Sequence, residues 1–90
     1  FVLIDVESGK VPEVVNELNK LPQLTEIYSI AGEHDILAKL RLADIKSLGE
    51  VVPKKIQKIA GIKHTVTLLT FETYKYVNFD LAAGHKLEEK

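Results

Sequence analysis

Leu24-Thr25-Glu26-Ile27-Tyr28-Ser29-Ile30, then Ala31-Gly32-Glu33-His34-Asp35, then Ile36-Leu37-Ala38-Lys39-Leu40-Arg41-Leu42: two apolar runs flank a short polar stretch. In both flanks apolar residues recur at every second position, and β-branched or aromatic side chains are plentiful, which is strand patterning. Gly32 reaches positive φ freely, so a two-residue reversal at Gly32-Glu33 is expected. That turn opposes Ile30 to Asp35, Tyr28 to Leu37 and Glu26 to Lys39. The last pair is of opposite charge and supports the register modestly.

Outward from this hairpin, Phe1 to Val6 reads as a first strand. Val2, Ile4 and Val6 fall on one face, and Phe1, Leu3 and Asp5 on the other. Val11, Val14, Val15, Leu18 and Leu21 then form one apolar stripe at helical spacing, with Pro12 tolerated in the first turn and Pro22 as the stop. After the hairpin, Ala43-Asp44 opens a second helix whose stripe is Ile45, Leu48, Val52, Ile56 and Ile59. Pro53 cannot donate to Gly49, so a bend or a split is expected there. Gly61 closes the helix as a left-handed cap.

The last strand starts at Ile62. Strict alternation puts Val66 and Leu68 on the face of Val2 and Ile4, and Thr65, Thr67, Leu69 and Phe71 on the other. Strand chemistry continues through Tyr74, Tyr76, Val77 and Phe79, yet one straight strand to that point would be roughly 60 Å long at about 3.3 Å per residue. The segment is therefore expected to bend or to leave as an arm. Leu81 to Lys90 reads as a frayed tail or a short terminal helix.

The order β-α-β-β-α-β predicts an α+β, ferredoxin-like antiparallel sheet with two helices on one face. Those helices cover Val2, Ile4, Val6, Ile27, Ile36, Ala38, Leu40, Val66 and Leu68. The uncovered face would carry Phe1, Leu3, Tyr28, Ile30, Leu37, Leu69 and Phe71, interrupted by Lys39, Arg41, Thr65 and Thr67. A surface that apolar marks an interaction site. A second copy packed face to face, the dimeric α/β-barrel arrangement, covers it most economically. The C-terminal segment folding back over its own sheet is the alternative.

Composition narrows function mainly by exclusion. Ninety residues make one domain, and a formal net charge of −1 gives no basic footprint for nucleic acid. No apolar run is long enough to span a membrane, and the start, Phe1-Val2-Leu3-Ile4 leading into Asp5 and Glu7, does not read as a signal peptide. A soluble, cytoplasmic protein is expected. With no cysteine, disulfides and thiolate chemistry are excluded. His34, His64 and His85 lack metal-motif spacing, so no metal and no cofactor are expected. Ser8, Ser29 and Ser47 sit in no nucleophile elbow, and Gly9-Lys10 lacks the frame of a phosphate loop. Acylphosphatases share this topology but carry an arginine after the first strand, where this chain has Glu7-Ser8-Gly9-Lys10. RNA-binding relatives of the topology need aromatics on the third strand, which here offers Leu37 and Lys39. Copper-chaperone relatives would need cysteines.

The reversal remains as a ligand site. Gly32 lets a ligand approach the backbone, Asp35 suits an ammonium group, and turn amides donate to carboxylates. Thr65 and Thr67 add hydroxyls on an edge strand. A zwitterionic amino acid presents both charges. An ordinary hairpin whose Asp caps its own turn is the other reading.

Lys10 through Pro22, then Ile27 through Lys39, resemble the effector (RAM) domain of the Lrp/AsnC feast/famine regulators, and Ile56–Ile59, Gly61-Ile62 and Thr65-Val66-Thr67 continue the match. The shared pattern is Gly-x-x-Asp (Gly32 to Asp35) before an aliphatic strand, then a Thr-x-Thr strand after a helix ending near Gly-Ile. The resemblance covers Phe1 to about Phe71. It implies a non-enzymatic domain that binds an amino acid or similar small metabolite, dimerises through its sheets and assembles into rings of dimers, with ligands between neighbouring dimers. The implied ligand-binding residues are Ile30, Gly32, His34, Asp35, Thr65 and Thr67, and His34 stands where the family often has tyrosine.

The chain starts at the first sheet strand, so a stand-alone domain without helix-turn-helix is expected, not contacting DNA itself and possible as a partner of full-length regulators. Residues 1–80 are read as the ligand-binding and oligomerisation domain, and residues 81–90 as a tail. Two other readings use the same topology. One is a dimeric α/β-barrel enzyme or haem/oxygen-chemistry protein, with Tyr28 or His64 in its cavity. The other is an ACT-type regulatory domain, whose copies pair side by side.

Overall fold

A computed structural model describes residues 1–77 of the chain. Its elements are β1 (Val2–Val6), α1 (Val11–Leu18), β2 (Leu24–Ser29), β3 (Ile36–Leu40), α2 (Ile45–Val51), a π-helical turn (Val52–Ile56) and β4 (Ile62–Thr67). The four strands form one sheet in the order β2-β3-β1-β4, with every neighbouring pair antiparallel. This is the α+β, ferredoxin-like architecture that the element order implies.

Both helices bury their apolar stripes on one side of the sheet. Val2, Ile4, Val6, Ile36 and Ala38 from the strands meet Val14, Leu18, Val51, Val52 and Ile56 from the helical layer, and Ile27, Leu40, Leu48 and Ile59 pack around them. In α1, Pro12 occupies the first turn, where its missing N–H is not needed. In α2, the Asp44 carboxylate caps the helix by accepting from the Ser47 N–H at 3.0 Å. The expected break at Pro53 takes a defined form. Proline withholds its N–H, the ladder widens by one residue, and Gln57 N–H donates to the Val52 carbonyl five positions back at 2.8 Å. Ile45 departs from expectation: it is 67% exposed and packs into no core.

The hairpin register is as the sequence indicates, with Glu26 opposite Lys39, Tyr28 opposite Leu37 and a backbone bond from Ile30 N–H to Asp35 O of 3.0 Å. The reversal itself is wider than expected. The ladder ends at Ile30 and Asp35, so four residues, Ala31 to His34, turn the chain, with Gly32 at φ 131°. The cause lies across the sheet, because the descending limb is bonded to β1: Asp35 N–H donates to the Ile4 carbonyl at 3.0 Å.

The main correction concerns β4. Asp5 pairs with His64, but Val6 pairs with Ile62, so Lys63 is an extra residue bulged out of the ladder. A one-residue slip exchanges the faces of everything beyond it. Thr65 and Thr67 therefore lie opposite Ile4 and Val2 on the helix side, while Val66 lies opposite Leu3 on the uncovered side. Phe1 and Leu68 extend the pairing, exchanging backbone bonds of 2.9 and 2.7 Å, which carries Leu68 to the uncovered side as well. Beyond Leu68 the chain is without strand through Val77, and Phe71, Tyr74 and Tyr76 are 90%, 93% and 76% exposed. The segment is an arm there, and its described part does not bury these rings against the sheet. The expected tail over residues 81–90, with His85, lies outside the described residues.

Candidate functional site

The reversal and the start of β4 come together at one end of the sheet, and Asp5 joins them. It is the only charged residue in the run Val2–Val6, and alternation turns its side chain to the uncovered face. His34 Nδ1 lies 2.8 Å from Asp5 Oδ1, and His64 Nδ1 lies 3.5 Å from Asp5 Oδ2. An ionised carboxylate only accepts, so the close ring carries its proton on Nδ1 and donates. The hydrogen bond from His34, reinforced by the two imidazoles' charge, holds the Asp5 carboxyl below its ordinary value of 3.8 against the opposing effect of burial.

Asp35 is part fastener and part open group. Its Oδ2 accepts the Val6 N–H at 2.8 Å, tying the reversal to the end of β1. No hydrogen bond to Oδ1 is formed among the described residues, which leaves that oxygen for a cation. Ile30 is half-buried beside it, and Gly32 is exposed, with open space where a Cβ would stand. Gln57, just after the π-helical turn, and Ile62, Lys63, His64 and Thr65 of β4 line a shallow hollow of about 370 Å³. Gln57 Nε2 donates to Thr65 Oγ1 at 2.8 Å, which fixes that hydroxyl toward the helical layer.

Of the residues expected at a ligand, the structure thus groups Ile30, Gly32, His34 and Asp35 at the reversal, while Thr65 lines the hollow beside β4 with its hydroxyl turned to the helical layer, on the other face from the Asp5 bridge. Thr67 is not with them. It faces a separate groove at the opposite end of the sheet, with Ile45 and Leu48. Sequence patterning does not single out Asp5, Lys63 or Gln57 as members of the site. For Asp5 a signal exists, as a lone carboxylate in an otherwise apolar strand. Gln57 has no comparable signal.

A four-stranded antiparallel sheet in this order with helices on one side matches known proteins. The family model described as the Lrp/AsnC ligand binding domain matches residues 1–78. The chain belongs to the Lrp/AsnC family. An HTH-type transcriptional regulator of Pyrococcus furiosus is 41% identical over 78 residues, covering 83% of this chain and 52% of the relative. A Thermus thermophilus protein of known structure superposes with a TM-score of 0.78 at 36% identity, covering 83% of this chain and 94% of that one. Escherichia coli AsnC superposes with a TM-score of 0.83 at 28% identity, covering 87% of this chain and 53% of AsnC. The chain spans about half the length of the curated relatives it matches. Those relatives are transcriptional regulators, a non-enzyme family, and the matched region is the family's ligand-binding domain. Among the described residues no helix is long and apolar enough to cross a membrane.

Proposed function

We propose that this Lrp/AsnC domain binds an amino acid at the reversal end of the sheet and assembles with further copies through the uncovered face. The observation that carries the site is the His34–Asp5–His64 bridge, because it ties the reversal, which offers the acidic oxygen Asp35 Oδ1, across β1 to the start of β4, which offers the basic pair Lys63 and His64. An α-ammonium and an α-carboxylate need that pairing of charges. The hollow is shallow, so a neighbouring copy's wall is required to enclose a ligand, and Thr67 could contribute only from such a neighbour. Calorimetric titration with the twenty amino acids tests this. Heat from at least one of them, weakened about five- to tenfold by Thr65→Val, is expected for the loss of one hydroxyl contact. Silence from all twenty at millimolar concentration refutes it.

Assembly is supported by the face exchange in β4. Val66 and Leu68 join Leu3, Leu37, Phe1 and Tyr28 on the uncovered side, where plain alternation would have put Thr65 and Thr67. Glu26 and Lys39 edge it with an ion pair of 3.4 Å. Such a surface is self-complementary under a two-fold axis, and dimers built this way leave their reversal ends free to meet in rings. Residues 1–80 act in this proposal as one ligand-binding and oligomerisation unit, cytoplasmic and able to join full-length regulators. The enzyme or haem alternative is not favoured, because the family model and the relatives are those of transcriptional regulators.

A further inference from the structure

At the end of the sheet away from the reversal, Thr67 to Thr70 form one wall of a groove of about 270 Å³ whose other wall is Ile45 and Leu48 of α2. The groove is apolar apart from threonine hydroxyls and the Asp44 carboxylate. Asp44 Oδ1 already accepts from the Ser47 N–H and hydroxyl, both at 3.0 Å, and Oδ2 bonds to no described residue. Ile45 stands 67% exposed at the rim, although its position in the helix belongs to the apolar stripe. The chain then runs off this rim as the arm, with Phe71 90%, Tyr74 93%, Tyr76 76% and Val77 54% exposed.

We propose that the groove receives the Tyr74 ring of a second copy of this chain, with its hydroxyl donating to Asp44 Oδ2, so that two copies exchange arms. Tyrosine fits the site chemically, having an apolar body for Ile45 and Leu48 and a polar tip for the one carboxylate present. A second copy is favoured over the same chain by the run from Leu68 to Val77, which holds no Gly, Pro, Asn or Asp to reverse it. Tyr74 accordingly stands outside its own groove, whose lining reaches Thr70, and the chain bends there with the ring exposed.

Residues 71–74 extend about 13 Å past the rim of the groove at roughly 3.3 Å per residue, which presents Tyr74 to another molecule. Three aromatic side chains burying about 150–250 Å² each give roughly 900–1,500 Å² from two arms, close to the range of a specific interface before the groove surfaces are added. This contact does not depend on amino-acid binding. It goes beyond the uncovered-face contact and can succeed or fail separately from it.

Because the chain contains no cysteine, cross-linking tests the pairing directly. Full-length Tyr74→Cys and Ile45→Cys chains, mixed and oxidised, should form a disulfide-linked pair identified by mass, at least about tenfold faster than Tyr74→Cys mixed with Lys54→Cys. Tyr74→Ala should raise the dissociation constant about tenfold or more in sedimentation, as truncation of a buried aromatic anchor does, with Tyr74→Phe between it and the parent. Equal cross-linking rates for the two mixtures overturn the proposal. So does a chain carrying both Tyr74→Cys and Ile45→Cys that closes only on itself, or a Tyr74→Ala protein that associates like the parent. The uncovered face is read on a different variant, Val66→Lys, and the amino-acid site on Thr65→Val.

Discussion

Replacing Gly61 by alanine should destabilise this domain far more than the same change at Gly32. Both glycines have positive φ, 101° and 131°, so both substitutions force an L residue into a left-handed conformation costing about 1–2 kcal/mol. They differ in what the new methyl meets. At Gly32 nothing lies within 4 Å, whereas at Gly61 the Cβ would stand 3.0 Å from Val14 Cγ2 and 3.2 Å from Lys10 Cβ. Val14 is fully buried and has nowhere to retreat, so an overpacking penalty of about 1–3 kcal/mol is added. The total for Gly61→Ala is about 2–5 kcal/mol, against a stability of roughly 5–13 kcal/mol for 90 residues. That corresponds to a midpoint roughly 8–40 °C lower, at about 4–8 °C per kcal/mol for a domain of this size. Thermal and urea unfolding followed by circular dichroism, at one fixed protein concentration because association contributes, measures both variants. Adding Val14→Ala removes the clashing methyl, so Gly61→Ala should cost less in that background. Equal losses for Gly61→Ala and Gly32→Ala, or no coupling to Val14, would refute the reasoning.

The Asp5 carboxyl has its folded value below 3.8, so its ionised form adds stability above the ordinary carboxyl range, and that contribution disappears as pH falls through the lowered value. Asp5→Asn should therefore flatten the acid limb of the stability profile below about pH 4, read from urea midpoints at stepped pH. Glu26, lowered by the Tyr28 hydroxyl, runs in the same direction, and Tyr28→Phe should remove its share. Val66→Lys places a charge on the uncovered face and should lower the sedimenting mass while leaving the far-ultraviolet spectrum intact. Asp44→Ala removes the α2 cap and should cost about 1 kcal/mol in urea unfolding.

Much of this fold is legible in the sequence because alternation, charge pairing and proline position act locally. Glu26 opposite Lys39 fixes the hairpin register, and Pro53 marks where the second helix changes its ladder. The faces of β4 are not legible. Ile62-Lys63-His64-Thr65-Val66-Thr67 alternates acceptably in either phase, and the bulge that chooses between them is set by pairing with β1. The width of the reversal follows from bonds to Ile4 and Val6, which lie roughly thirty residues away in the chain. At the site, Gly32 and Asp35 are evident as a pair, while the Asp5 bridge is visible only once β1 lies between the reversal and β4. Spacing alone groups Thr67 with Thr65, yet the two hydroxyls serve opposite ends of the sheet.

The bulge at Lys63 also decides where this strand tolerates length change. Deleting that unpaired residue would leave Ile62 and His64 opposite Val6 and Asp5 in an unbroken ladder, with every later side chain on its present face. Deleting a paired residue such as Thr65 would instead slip the register by one, sending Val66 and Leu68 inward against the helices and leaving a more hydrophilic, less adhesive face. The reversal at Ala31–His34 is, by contrast, an exposed tip where insertions leave the phase of both strands untouched.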